Sequence, residues 1–321
     1  MSWLHVLAVV VAIAAITVAA GVLAVWRDPQ RLLLAEFARE RIAAGFALRQ
    51  ATIDGCRWCY VERAAPSSQA PTLVLLHGYT GGKENWYRVC AMLGRRYRLV
   101  APDLPGWGGS ERRAGANYGY VAQADNVAAF LRHLGAAPVV LVGHSMGGGI
   151  AALVAARHPQ LVAKLALLDA AGVEFEENAF GLEVLAGGNP FAVADAASLS
   201  RYLGVLFHDA SARPPLPWPG SWAYVAWRRR EADFEQSVLA RIGRSDERFL
   251  PWQEAERIRQ PTLLLWGAHD RVIDPSAMAL YAQRIPQART RLLLHSGHMT
   301  LMEEPGAVAE ALIELVEETP A

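Results

Sequence analysis

The chain has 321 residues, 53% of them apolar and 19% charged, with 31 basic and 31 acidic side chains that balance to zero. That apolar content excludes a disordered chain and suffices for one large domain with an insertion or for two smaller ones. Zero net charge leaves no footprint for nucleic acid, and Cys56, Cys59 and Cys90 are too few, and odd in number, for a disulfide framework.

The first feature along the chain is an apolar run from Trp3 to Trp26 with no charged residue and His5 as its one strongly polar side chain. As a helix it spans roughly 36 Å, enough for a hydrocarbon core of about 30 Å with some tilt. Trp3 and Trp26 stand where interfacial aromatics are expected. Residues 1–27 therefore read as a transmembrane anchor, with a membrane as partner. The alternative is a cleaved signal peptide and a secreted product. Val18-Ala19-Ala20 before Gly21 would tolerate cleavage, but no basic segment precedes the run, and the run is long for a signal. Arg27, Arg31, Arg39 and Arg41 follow it, which puts the remainder of the chain in the cytoplasm.

Residues 28–50 are expected to form an amphipathic linker helix, clearest over 31–48. There Glu36, Arg39 and Glu40 make a charged stripe, and Leu33, Leu34, Phe37, Ile42 and Phe46 an apolar side. Such a face suits a membrane surface or a protein surface equally. Cys56 and Cys59 form a CxxC, but Ile53 to Val61 reads as a strand, which points residues three apart to opposite faces. No second pair completes a zinc site, and no metal is expected.

From residue 51 on, strands alternate with helices. Strands are expected at 57–62, 72–77, 97–101, 138–143, 164–169, 262–267 and 290–294, and helices at 121–134, 146–157, 275–285 and 306–317. Several strands are near-continuous apolar runs (TLVLLH, PVVLVG, LALLDA, TLLLWG). Such runs indicate a mostly parallel sheet covered by helices on both faces. Between Asp169 and Thr262 lie about ninety residues, far more than a crossover needs. They read as a helical cap at 173–250 that divides a core of residues 51–172 and 251–321. Phe180, Leu182, Val184, Leu185, Phe191, Leu203, Val205, Leu206 and Phe207 are candidates to line an apolar pocket or to form the cap's own core. Most of the tryptophans among Trp218, Trp222 and Trp227 are expected to pack inside the cap.

The chemistry centres on Gly143-His144-Ser145-Met146-Gly147, with the strand PVVLV before it and the helix-like GGGIAALVAARH after it. A GxSxG between a strand and a helix marks a sharp turn that leaves no room for side chains beside the serine. A serine hydroxyl needs a base to attack, and in this arrangement an acid and then a histidine follow in sequence. Asp270 in GAHDRVIDP and His298 in HSGHMTLMEEP each fall just past a strand. His298 is the expected base and Asp270 the residue that orients it. Asp169 is the alternative acid, while His269 and His295 read as loop or packing residues. Asp103, in a stretch of Pro and Gly, reads as a turn-fixing carboxylate. The expected oxyanion donors are the backbone N–H groups of Met146 and of Tyr79, the latter in His77-Gly78-Tyr79-Thr80-Gly81-Gly82.

With HGYTGG, DLPGWGGS, GHSMGG, GAHDRVIDP and SGHMTLMEEP in this order, the chain resembles the α/β-hydrolase superfamily over residues 51–321. The anchor, the linker and a segment Asp169-Ala170-Ala171-Gly172 opening the cap make it more closely similar to the membrane-anchored monoacylglycerol lipases and related bacterial lipases. That resemblance implies an eight-stranded sheet and hydrolysis of lipid acyl esters. It also implies Ser145, Asp270 and His298 as triad, Tyr79 and Met146 as oxyanion donors, and no metal or organic cofactor. Carbon–carbon bond hydrolases and perhydrolases share these parts without an anchor. A hydrolase fold kept only for binding is a further alternative.

Overall fold

A computed structural model describes residues 2–67, 69–175 and 178–318. Its sheet contains β1 (Ala47–Ile53), β2 (Cys56–Arg63), β3 (Thr72–Leu76), β4 (Arg98–Pro102), β5 (Val139–His144), β6 (Val162–Leu168), β7 (Thr262–Gly267) and β8 (Arg289–Leu293). The order across the sheet is β1-β2-β4-β3-β5-β6-β7-β8. The two pairings that involve β2 are antiparallel and all others are parallel.

The apolar runs are explained by burial on both faces. Leu73, Leu75, Val140, Val142, Ala166 and Leu168 enter one core, and their neighbours Val74, Leu76, Leu141, Leu165 and Leu167 enter the other. The helices in chain order are α1 (Trp3–Arg27), α2 (Gln30–Ala43), α3 (Tyr87–Met92), α4 (Tyr120–Leu134), α5 (Met146–Arg157), α6 (Ala179–Leu185), α7 (Ala196–Leu206), α8 (Gly220–Arg244), α9 (Leu250–Gln253), α10 (Ser276–Arg284), α11 (Thr300–Glu303) and α12 (Pro305–Glu317). Residues of α4, α5 and α10 belong to the second core, and residues of α3 and α12 to the first. β3 hands the chain to β4 on one side, while β5 lies on its other side and leads to β6. Loops leaving neighbouring strands in opposite directions open a crevice at the carboxyl ends of β3 and β5.

α1 is long and apolar enough to cross a membrane, and none of its residues is buried. The linker differs from expectation. Its helix ends at Ala43, and residues 47–53, expected as helix up to residue 50, form β1 instead. β1 and β2 are joined by Asp54 and Gly55, both at positive φ (48° and 72°), the two-residue turn that suits a hairpin. α2 packs against α8 and buries Leu33, while Leu34 and Ile42 stay exposed.

The segment between β6 and β7 carries α6, α7, α8 and α9. Of the pocket candidates, Leu182 and Leu185 face outward, whereas Leu206 and Phe207 are buried. The tryptophans depart from expectation. Trp218, just before α8, is 80% exposed, and Trp222, in its first turn, is also exposed.

Candidate active site

Ser145 sits between β5 and α5 with φ 53° and ψ −121°, a left-handed conformation that a non-glycine residue keeps only when its surroundings impose it. The surroundings here are tight. A Cβ on Gly147 would lie 2.5 Å from the carbonyl oxygens of Leu76 and His77, and one on Gly143 would overlap the carbonyl of Gly147. The two glycines thus let the first turn of α5 press against the end of β3. The Ser145 backbone is pinned as well, with its N–H donating to Leu168 O (2.9 Å) and its carbonyl accepting from Gly148 and Ala171.

The structure brings Ser145, His298 and Asp270 together. His298 Nε2 lies 3.0 Å from Ser145 Oγ, and His298 Nδ1 lies 2.8 Å from Asp270 Oδ2. A carboxylate only accepts, so the ring proton belongs on Nδ1, and Nε2 is left to accept from the serine hydroxyl. Asp270 Oδ1 accepts from the N–H groups of Val272 (2.8 Å) and Ile273 (3.0 Å). Burial pushes His298 down to about 3, so the ring is neutral at neutral pH. Burial also pushes Asp270 up, with the two backbone donors acting against it.

Two histidines that sequence reasoning passed over hold this arrangement. His144 Nε2 donates to the carbonyl of His298 at 2.8 Å, while the N–H of His298 donates to Leu206 O of α7 at 3.0 Å. The backbone of His298 is thus held from both sides. His77 accepts from Leu104 N at Nε2 (3.0 Å) and donates from Nδ1 to Gly78 O (2.8 Å). That carbonyl shares a peptide plane with the N–H of Tyr79. The available signal was position: each histidine directly precedes a loop that carries an expected site residue.

Asp169 does not reach His298. Its oxygens accept from Gly267 N (2.9 Å) and Thr300 Oγ1 (2.5 Å), which ties β6 to β7 and α11. His295 is exposed, and His269 is exposed and stacked on His208 with ring centroids 3.7 Å apart. Asp103 accepts from Lys83 N, Lys83 Nζ and Gly109 N, and so fastens the glycine-rich loop. Among the described residues, no backbone group accepts from the N–H of Tyr79 or of Met146. Both residues line the same cleft as Ser145.

That cleft has an empty volume of ≈ 630 Å³ including its open mouth, within the usual range for small-molecule sites. Phe175, Phe180, Val184, Phe191, Leu239 and Ile242 form much of its wall. Phe180, Val184 and Phe191 were among the sequence candidates. Phe175, Leu239 and Ile242 were not, nor was Arg248, the one charged side chain of the lining among the described residues.

Monoacylglycerol lipase ABHD6 of Homo sapiens is 27% identical over 286 residues, covering 86% of this chain and 84% of that protein. The 2-hydroxymuconate semialdehyde hydrolase of Pseudomonas sp. (strain CF600) is 31% identical over 262 residues, covering 78% and 88%. A crystal structure described as a membrane phospholipase A, a novel bacterial virulence factor, is 33% identical with a TM-score of 0.85, covering 96% of this chain and 97% of that one. The family model for the alpha/beta hydrolase fold matches residues 71–305, and the chain belongs to that family.

Proposed function

We propose that this chain is a serine esterase that hydrolyses the carboxylic esters of lipids, with monoacylglycerol as the substrate class. The observation that carries the reading is the hydrogen-bonded line Asp270–His298–Ser145 ending in an apolar cleft. In this scheme Ser145 Oγ attacks the acyl carbonyl carbon as His298 takes its proton. The imidazolium returns that proton to the departing glycerol oxygen, and the acyl group stays on Ser145. Water, deprotonated by the same imidazole, then releases the fatty acid. The N–H groups of Tyr79 and Met146 stabilise the oxyanion in both halves. Asp270 keeps the histidine in the tautomer the first step needs, and the scheme calls for no metal or organic cofactor.

The relatives named as a monoacylglycerol lipase and a membrane phospholipase A support acyl esters of glycerol lipids as substrates. We read residues 1–27 as a single-pass anchor, residues 51–172 and 251–321 as the catalytic core on the cytoplasmic side, and residues 173–250 as a cap. Asp28, one residue past α1, pairs with Arg230 of α8 at 3.1 Å. That pair would keep the cap beside the foot of the anchor and so near lipid. Protease added to sealed cells should leave the core intact; clipping of the core would reverse the orientation.

The relative named as a semialdehyde hydrolase favours a second reading, hydrolysis of a carbon–carbon bond. One experiment separates them. Detergent-solubilised chain is offered monoacylglycerols of rising acyl length, a lysophospholipid and a ring-cleavage product, with Ser145→Ala as control. Medium or long monoacylglycerols should be cleaved by the parent chain alone. Cleavage confined to the ring-cleavage product would replace the lipase reading.

A further inference from the structure

Tyr79 and Thr80, in the loop after β3, are held from two directions. From the core, the Gly78 carbonyl accepts from His77 Nδ1 and from Gly81 N (3.1 Å), and the Tyr79 ring packs edge-on to Trp107. The other contacts come from the segment between β6 and β7. Thr80 Oγ1 shares a hydrogen bond of 2.9 Å with Tyr202 OH of α7. Tyr79 OH donates to the backbone carbonyl of Glu235 in α8 at 2.6 Å. Phe191 lies edge-on to the Tyr79 ring with centroids 4.8 Å apart, and its own carbonyl accepts from Arg228 of α8 at 2.8 Å.

Thr80 is also strained. Its φ is +59°, a region that β-branched residues enter only when neighbours over-determine it. Thr80 and Tyr202 are both buried, so water does not compete for their bond. Released from Tyr202, Thr80 would relax toward negative φ, and the preceding peptides would rotate with it. An oxyanion donor tolerates little of that, because its strength depends on being aimed before the reaction begins.

We propose that the cap is a working part of the oxyanion loop, with Tyr202 as a positioning residue that, through Thr80, fixes the backbone whose Tyr79 N–H faces the reacting carbonyl. This rests on the reading of Ser145 as nucleophile and of the Tyr79 N–H as donor. It assigns the cap a role in the chemical step, separate from covering the acyl chain.

The test is a double-mutant cycle on the detergent-solubilised full chain with a short p-nitrophenyl ester, whose acyl group makes little use of the cap. Tyr202→Phe keeps the ring that stacks under Arg228 and removes only the hydroxyl. It should lower kcat roughly tenfold to a hundredfold, in line with a small misplacement of a catalytic group, while KM shifts by less than about twofold. Binding of a trifluoromethyl ketone, which forms a tetrahedral oxyanion on the serine, should weaken in parallel with kcat/KM. In a Thr80→Gly background, where positive φ carries no strain, Tyr202→Phe should have no further effect. Thr80→Val should reproduce the Tyr202→Phe loss, and Thr80→Ser should be faster than Thr80→Val. An unchanged kcat in Tyr202→Phe, or the same loss in both backgrounds, overturns the proposal while leaving the esterase reading intact. A parent chain that neither cleaves the ester nor reacts with a fluorophosphonate at Ser145 overturns both.

Discussion

Ser145→Ala is expected to remove nearly all turnover, by roughly 10⁴- to 10⁶-fold in kcat, with lipid binding close to that of the parent chain. Only Oγ is lost, and the apolar walls of the cleft are untouched. His298→Ala should cost about as much, because a serine without its base and a base without its serine leave the same residual site. The double variant should therefore be no slower than either single one. Multiplication of the two losses would show that the residues act separately. The pH profile follows from the same ring. Protonation of His298 removes the base, and burial has pushed its pKa down to about 3. The neutral base is present above that folded value and is lost as pH falls through it, not near the 6.5 of a free imidazole. Between pH 7 and pH 5, kcat/KM should stay flat within about twofold. An acid limb centred near 6.5 would mean that the ring titrates as if it were in water.

The parallel strands were legible because both faces of β3, β5 and β7 and most of β6 are buried, so nearly every position is apolar and the run stands out. Their observed ends fall within two residues of expectation. β1 was missed for the opposite reason. At the edge of the sheet Leu48, Arg49 and Gln50 are all exposed, and no alternation survives to be read. The signal that was available is Asp54-Gly55, a hairpin turn written in the sequence. Ser145, Asp270 and His298 were legible because strand ends bring them to one edge whatever the segment between β6 and β7 does. The cleft wall was not, because it depends on how each helix between β6 and β7 is rotated. In α6, Phe180 and Val184 stand four apart and face the cleft, while the equally apolar Leu182 and Leu185 face solvent. Composition cannot choose between those two faces.

Arg228 and Glu235 show the same limit with charge, and they give the second large effect. In the run RRREADFEQ they look like part of a solvated helix face. Seven apart on α8, they share one side of it, and they are almost fully buried, at 1% and 3% exposure. The guanidinium meets both carboxylate oxygens at 2.8 and 2.9 Å and also donates to Phe191 O and Tyr224 OH. Burial pushes the Glu235 carboxyl up, with Arg228 pulling against it, so attraction does not fully offset lost hydration. Removing one partner should then be far worse than removing both. Glu235→Ala leaves a buried guanidinium without its counter-charge, at a cost of about 3–5 kcal/mol. In a chain of this size that is a fall in Tm on the order of 10 °C by calorimetry. Arg228→Met combined with Glu235→Leu removes both desolvated charges and keeps the volume, and it should recover most of that loss. The Tyr79 hydroxyl bonds the backbone of Glu235, not its side chain. A double variant as unstable as Glu235→Ala would mean that the ion pair contributes specific geometry to the cap that apolar packing cannot replace.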